Sequence, residues 1–230
     1  MNLNPHYTYL LILIGSIIGP LALSFDTKVA FYKTWKYLFP AMVLPAAFYI
    51  GWDILFTKNG VWSFSADHIV GYSFQGLPME EILFFFVVPY CCVFIYACIR
   101  SYFPSMSDSN ASRMVFAILS LAFITVALLN SDRAYTYFTG LFAGGFMLLV
   151  LLLRTVFNAF HTKAFMLAYI IILIPFLIVN GFLTAIPVVL YNDLENLSIR
   201  LYTIPVEDTV YGLLLILMNV VLYEKLKTLY

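Results

Sequence analysis

Seven apolar runs, each long enough to cross a bilayer as a helix, take up most of this chain of 230 residues. They cover approximately 7–25, 37–56, 79–99, 114–130, 134–153, 164–186 and 206–223. A helix needs about 17 to 25 apolar residues to cross roughly 30 Å of hydrocarbon. Inside lipid every backbone N–H and C=O must find its partner within the protein, and helices meet that demand one segment at a time. With 63% hydrophobic and 10% charged residues and a mean hydropathy of +0.94, the expected fold is all-α, a polytopic membrane protein with about seven transmembrane helices. Asn130, Ser131, Asp132 and Arg133 alone separate the fourth and fifth runs, which favours a tight hairpin over one broken helix.

Basic residues sort by side once the runs are drawn. Lys28, Lys33, Lys36, Arg100, Arg113, Arg154, Lys163, Lys225 and Lys227 fall on one face, against Lys58, Arg133 and Arg200 on the other. The excess of positive charge belongs in the cytoplasm, so the C-terminus is expected inside and the N-terminus outside, in a plasma or bacterial inner membrane. Met1 to His6 hold no Lys or Arg and the first run is too long for a cleavable signal, so the first helix is expected to stay. A net charge of zero with no basic stripe argues against nucleic acid. Cys91, Cys92 and Cys98 share one run with no CxxC spacing, and His6, His68 and His161 are scattered. No metal site is expected.

One phrase is written twice. Leu77-Pro78-Met79-Glu80-Glu81 and Ile204-Pro205-Val206-Glu207-Asp208 each set a proline and paired acids before an apolar run, 127 residues apart. Around them Phe31 to Pro45 matches Phe160 to Pro175 with a difference of one residue in length, and the first and fifth runs carry GxxxG at Gly15/Gly19 and Gly140/Gly144. Close helix packing explains that motif fully. The economical organisation is two parallel three-helix repeats, 1–100 and 134–230, joined by a linking helix within 101–133. Parallel repeats start their third helices on the same membrane face, so the two acid pairs can converge on one cavity.

An acid at the centre of a membrane helix costs roughly 2.5 to 3.5 kcal/mol on insertion scales, less towards the ends. Each phrase read alone is a well-made helix start, with proline at the first position and acids against the positive end of the dipole. Duplication makes Glu80, Glu81, Glu207 and Asp208 candidate catalytic groups. Successive helical residues point about 100° apart, so one acid of each pair can face a cavity while the other braces the loop. A protonated acid can donate to an alkene; an ionised one can stabilise a cation or take a proton. Trp52, Trp62, Phe64, Tyr72 and Phe74 crowd the approach to the first phrase, as an interfacial belt or as faces for a cation. Asp53, Asn180, Thr184, Tyr191 and Asn192 stand in comparable stretches of the two units, either bonding helix to helix or holding the acids and substrate.

These residues resemble the small membrane lycopene cyclases, which occur as two-subunit bacterial enzymes, as fused chains, and as the cyclase half of fungal bifunctional proteins. The resemblance rests on Gly76-Leu77-Pro78-Met79-Glu80-Glu81, Asn180-Gly181-Phe182-Leu183-Thr184, Ile204-Pro205-Val206-Glu207-Asp208 before Tyr211, and Trp52-Asp53. It implies a fused lycopene β-cyclase that turns the linear ends of lycopene into β-ionone rings by acid–base chemistry, giving β-carotene by way of γ-carotene. It implies catalysis by Glu80 or Glu81 with Glu207 or Asp208, and Trp52, Asp53, Trp62, Asn180, Thr184, Tyr191 and Asn192 are the candidate substrate-binding residues beside them. The partners expected are an apolar carotenoid within the bilayer and membrane lipid, with contacts to other carotenoid-biosynthesis enzymes left open. No GxGxxG follows a strand, so no flavin or nicotinamide cofactor is expected. A cyclase of elongated carotenoids has the same motifs. A lipid-binding or transport protein is the non-enzymatic alternative, against which the acids stand at helix mouths rather than midplane breaks.

Overall fold

The computed structural model describes residues 4–229. Met1 to Leu3, at the head of the stretch that argued against a cleavable signal, lie outside the described residues, as does Tyr230. Seven long helices are found among the described residues: α1 Thr8–Leu23, α2 Trp35–Lys58, α3 Met79–Tyr102, α4 Asn110–Leu129, α5 Ala134–Leu152, α6 Thr162–Ala185 and α7 Val206–Lys227. With the 3-10 turn Pro5–Tyr7 that leads into α1, all seven are long and apolar enough to cross a membrane. Several outrun the apolar stretches that announce them, since Trp35, Lys58, Asn110, Lys225 and Lys227 remain helical. Hydropathy registers the hydrocarbon-facing length, and helices extend past it into the headgroup layer.

Short strands join the helices at one end. They are β1 Trp62–Phe64, β2 Ser73–Phe74, β3 Leu77–Pro78, β4 Val189–Tyr191, β5 Arg200–Leu201 and β6 Ile204–Pro205. β2 pairs with β3, and β5 with β6, as hairpins directly ahead of α3 and α7. The first hairpin turns through Gln75 and Gly76, both at positive φ (55° and 89°), the backbone twist that suits a two-residue hairpin loop.

The duplication is regular. Each boundary of α6 lies 127 positions after that of α2 (35 and 162, 58 and 185), and the same interval carries β1 to β4, β2 to β5 and β3 to β6. Individual hydrogen bonds repeat as well: Met79 N to Tyr72 O recurs as Val206 N to Ile199 O. β1 and β4 pair antiparallel with Ser63 opposite Leu190, each the other's counterpart in the repeat. Equivalent strands crossing at equivalent residues place a pseudo-twofold axis through that point. The expected pairing of Phe31 with Phe160 and Pro45 with Pro175 is therefore out of register. Those pairs are separated by 129 and 130 residues, because helix-interior prolines mark kinks and need not repeat.

α4 links the repeats and forms the expected hairpin with α5, turning through 130–133. Gly140 and Gly144 make that packing possible: a Cβ on either would stand 2.7 Å from Phe123 O or 2.6 Å from Ser120 O. Ser120 Oγ donates to Gly144 O at 2.6 Å across the same contact. Gly15 and Gly19 do not share this role, having nothing within 4 Å of an added Cβ among the described residues. α7 is the most enclosed span, 67% buried over its apolar window, against 11% for the first span and 17% for α4. It stands at the centre, while α1 and α4 present Leu and Ile side chains outward as a hydrocarbon solvent requires.

Candidate active site

Pro78 and Pro205 cap α3 and α7 in extended conformation, one residue earlier than the sequence reading placed them, with φ near −57° and −55°. The acids then occupy the second and third helical positions and diverge. Glu80 Oε1 accepts from Val70 N at 2.6 Å, and Glu207 Oε1 accepts from Leu197 N at 2.8 Å, again counterparts in the repeat. Thr136 Oγ1 adds a second donor to Glu207 at 2.7 Å. These two glutamates tie the loop to the helix start and do not line the cavity, although Oε2 of each is buried with no protein partner among the described residues.

Glu81 and Asp208 turn the other way, into one cavity of about 40 Å³ that both repeats build around the axis. Tyr9 at the start of α1 donates to Glu81 Oε2 at 2.5 Å. On the far side Tyr135 of α5 donates to Asp208 Oδ1 at 2.6 Å, and Tyr191 of β4 donates to Asp208 Oδ2 at 2.9 Å. Asp208 thus uses both oxygens as acceptors, the arrangement a carboxylate makes. Tyr191 lies outside the spans, and burial, followed by the neighbouring Asp208, pushes its phenol well above the ordinary range, so it remains a donor.

Asp53 of α2 lines the same cavity as Glu81, and Tyr211 donates to Asp53 Oδ1 at 2.5 Å. The two sides of the site are therefore unequal: Asp208 faces two tyrosine hydroxyls, whereas Glu81 and Asp53 share their side and face one each. Asn180 takes the place of Asp53 in the second repeat, 127 residues on, and lines the same cavity.

Aromatic rings form the walls. Trp62 lies edge-on to Tyr135 at 5.2 Å and to Tyr211 at 6.1 Å, and Tyr135 stacks on Tyr191 at 5.8 Å. Such faces attract positive charge. Of the residues expected to bind substrate, Asp53, Trp62, Asn180 and Tyr191 line the cavity. Trp52, Thr184 and Asn192 do not. Trp52 packs behind it against Phe142 and Tyr211, Thr184 Oγ1 bonds Asn180 O and Thr203, and Asn192 holds the loop through Gly60 O. Tyr9, Tyr135, Phe84 and Phe176 also line the cavity and were not anticipated.

The lycopene cyclase family model matches residues 6–99 and 132–226, the two repeats without the linking helix. The chain belongs to the lycopene cyclase family. It is a carotenoid cyclase of the membrane, and the two matched segments meet in the aromatic cavity that holds Glu81 and Asp208. No curated protein and no solved structure matches it.

Proposed function

We propose that the chain is a lycopene β-cyclase in which the Asp53–Glu81 pair donates the proton and Asp208 removes one. The proton passes to C2 of the terminal double bond and leaves a cation at C1. The C5=C6 electron pair then closes the C1–C6 bond and moves the cation to C5. Loss of the C6 proton to Asp208 forms the β-ring double bond. One proton enters and one leaves, so the product is an isomer with no net redox change. The first ring gives γ-carotene and the second β-carotene.

The observation that carries this reading is the meeting of one acid from each repeat in a small aromatic cavity, with different partners on each. The Trp62, Tyr135 and Tyr211 faces suit the passing cation, and exclusion of water protects it from capture. Glu80 and Glu207 act in this account as positioning residues for the loops that close the cavity.

The same reading sets the enzyme in a plasma or bacterial inner membrane with the acid cavity towards the outer leaflet. It divides the chain into repeats 1–100 and 134–230 with the link at 101–133, and draws its substrate from the bilayer. The test is pigment analysis of lycopene-accumulating cells expressing the chain beside a Glu81→Gln, Asp208→Asn double variant. Conversion of lycopene to β-carotene by the unmodified chain alone is expected; unchanged lycopene with well-inserted protein contradicts it.

A further inference from the structure

The two flanks of the acid cavity are built from equivalent helices yet are packed differently. Between α2 and α5 aromatic rings fill the space: Phe142 lies 5.1 Å from Trp52 and 5.6 Å from Phe48, and Phe138 lies 5.8 Å from Phe56. The 127-residue repeat puts Gly15 where Phe142 stands and Val179 where Trp52 stands, on the flank between α1 and α6. Among the described residues nothing lies within 4 Å of a Cβ added to Gly15.

A groove of about 520 Å³ follows from those absent rings, running along α1 and α6 past Leu11, Gly15 and Phe182. It shares Ser16 and Val179 with an apolar cavity of about 180 Å³ between α1, α3 and α6. That cavity in turn shares Phe176 and Asn180 with the acid site. The three spaces form one line from the outer groove to the acid cavity, with Phe176 and Asn180 standing between the last two. Along α3 it extends from Glu81 to Ile95, about 21 Å at 1.5 Å per residue.

Phe176 stands at the junction and lacks the hydroxyl anchor and the aromatic partner of its counterpart. In the first repeat Tyr49 occupies the equivalent place, packed on Phe85 at 5.4 Å and anchored by its hydroxyl to Tyr211 O at 2.9 Å. Phe176 has no hydroxyl, and the residue equivalent to Phe85 is Gly212, whose added Cβ would stand 2.7 Å from the Phe176 ring. The acid cavity, at about 40 Å³, is far smaller than the apolar cavity of roughly 150 Å³ that admits a benzene molecule. A terminal isoprenoid group therefore enters only if a side chain moves.

We propose that the linear polyene enters from the bilayer between α1 and α6, lies along the apolar cavity beside α3, and reaches the acids when the Phe176 ring swings aside. The proposal rests on the cyclase reading above. Its test copies the closed flank onto the open one with a Gly15→Phe, Val179→Trp variant, in liposomes carrying lycopene in the bilayer. Leu121→Trp, on the exposed face of α4, is the control for added bulk. The expected result is an initial rate at least tenfold lower in the double variant at unchanged melting temperature, with the control at the unmodified rate. A double variant within twofold of the unmodified chain overturns the entrance. Should that variant fail to fold, Gly15→Cys is capped with a benzyl methanethiosulfonate and released with reductant, beside the unmodified chain treated alike. Loss and recovery of rate in the variant alone support the entrance, and no loss refutes it. If the unmodified chain converts no lycopene, the cyclase reading fails by itself. The entrance is then judged by the carotenoid retained on purification from lycopene-loaded membranes, lower in the double variant if it stands and equal if it does not.

Discussion

Adjacent acids at the start of α7 have separable tasks, and substitution distinguishes them. Glu207 accepts from Leu197 N at 2.8 Å and Thr136 Oγ1 at 2.7 Å. Hydrogen bonds to a charged group contribute about 1.5 to 3 kcal/mol each, and the donors left behind are buried. Glu207→Ala is therefore expected to cost about 3 to 5 kcal/mol, a fall in melting temperature on the order of 10 °C for a chain of this size. Asp208→Asn keeps shape and volume: the amide oxygen accepts from one of Tyr135 and Tyr191, and the other hydroxyl turns to accept from the NH2. Its stability should stay within about 1 kcal/mol of the unmodified chain. Its activity should fall by at least about a hundredfold, the lower end of what a positioned acid–base group supplies. Melting by intrinsic fluorescence in detergent and product formation by pigment chromatography give both axes. Asp208→Asn with activity within a few-fold of normal, or Glu207→Ala with normal melting and no activity, would refute this division of roles.

Three further outcomes follow from named contacts. Tyr9→Phe removes the 2.5 Å donor from Glu81 and should lower the rate about tenfold, an effect of about 1 to 2 kcal/mol, with substrate retention unchanged; an unaltered rate would separate Tyr9 from the chemistry. Gly144→Leu, placing atoms within 2.6 Å of Ser120 O, should part α4 from α5 at a cost of at least about 2 kcal/mol, read as a lower melting temperature, whereas Gly15→Leu should leave melting unchanged. Burial, reinforced by Arg100, holds His161 below its ordinary 6.5, so the unfolded chain binds the proton more readily there. The stability from the neutral ring is complete above about pH 6.5 and lost as pH falls towards the folded value. Melting between pH 7.5 and 5 should decline less in His161→Gln than in the unmodified chain, and an equal decline would contradict it.

The seven spans and the repeat were legible because lipid imposes both: apolar length announces a helix, and one phrase written twice announces a duplication. Convergence of the acids followed from the odd number of spans between them. Of the tyrosines that donate to those acids, Tyr191 was legible and the other two were not. Tyr9 and Tyr135 reach Glu81 and Asp208 across 72 and 73 residues, and each begins a helix in a chain with seventeen tyrosines. The constant interval held a signal, since it carries Tyr9 to Thr136, a donor to Glu207 beside Tyr135. Trp52 and Asn192 were misplaced for a geometric reason. Neighbours of cavity residues on a helix or strand point elsewhere, so Asp53 and Tyr191 face inward while Trp52 and Asn192 do not. Thr184 is drawn instead to Thr203. The open α1–α6 flank emerges only on comparing the helices position by position, Gly15 with Phe142 and Val179 with Trp52.

The central claim is a proton delivered to the chain end and another withdrawn from the new ring, with no electron transfer. Purified protein equilibrated in D2O buffer, given lycopene and no added cofactor, tests it by mass spectrometry of the products. The account predicts γ-carotene carrying one solvent deuterium and β-carotene carrying two, one for each ring closed, with the Asp208→Asn chain giving neither product. Rings formed without solvent deuterium, or conversion that begins only when a reduced flavin or nicotinamide is supplied, would contradict it.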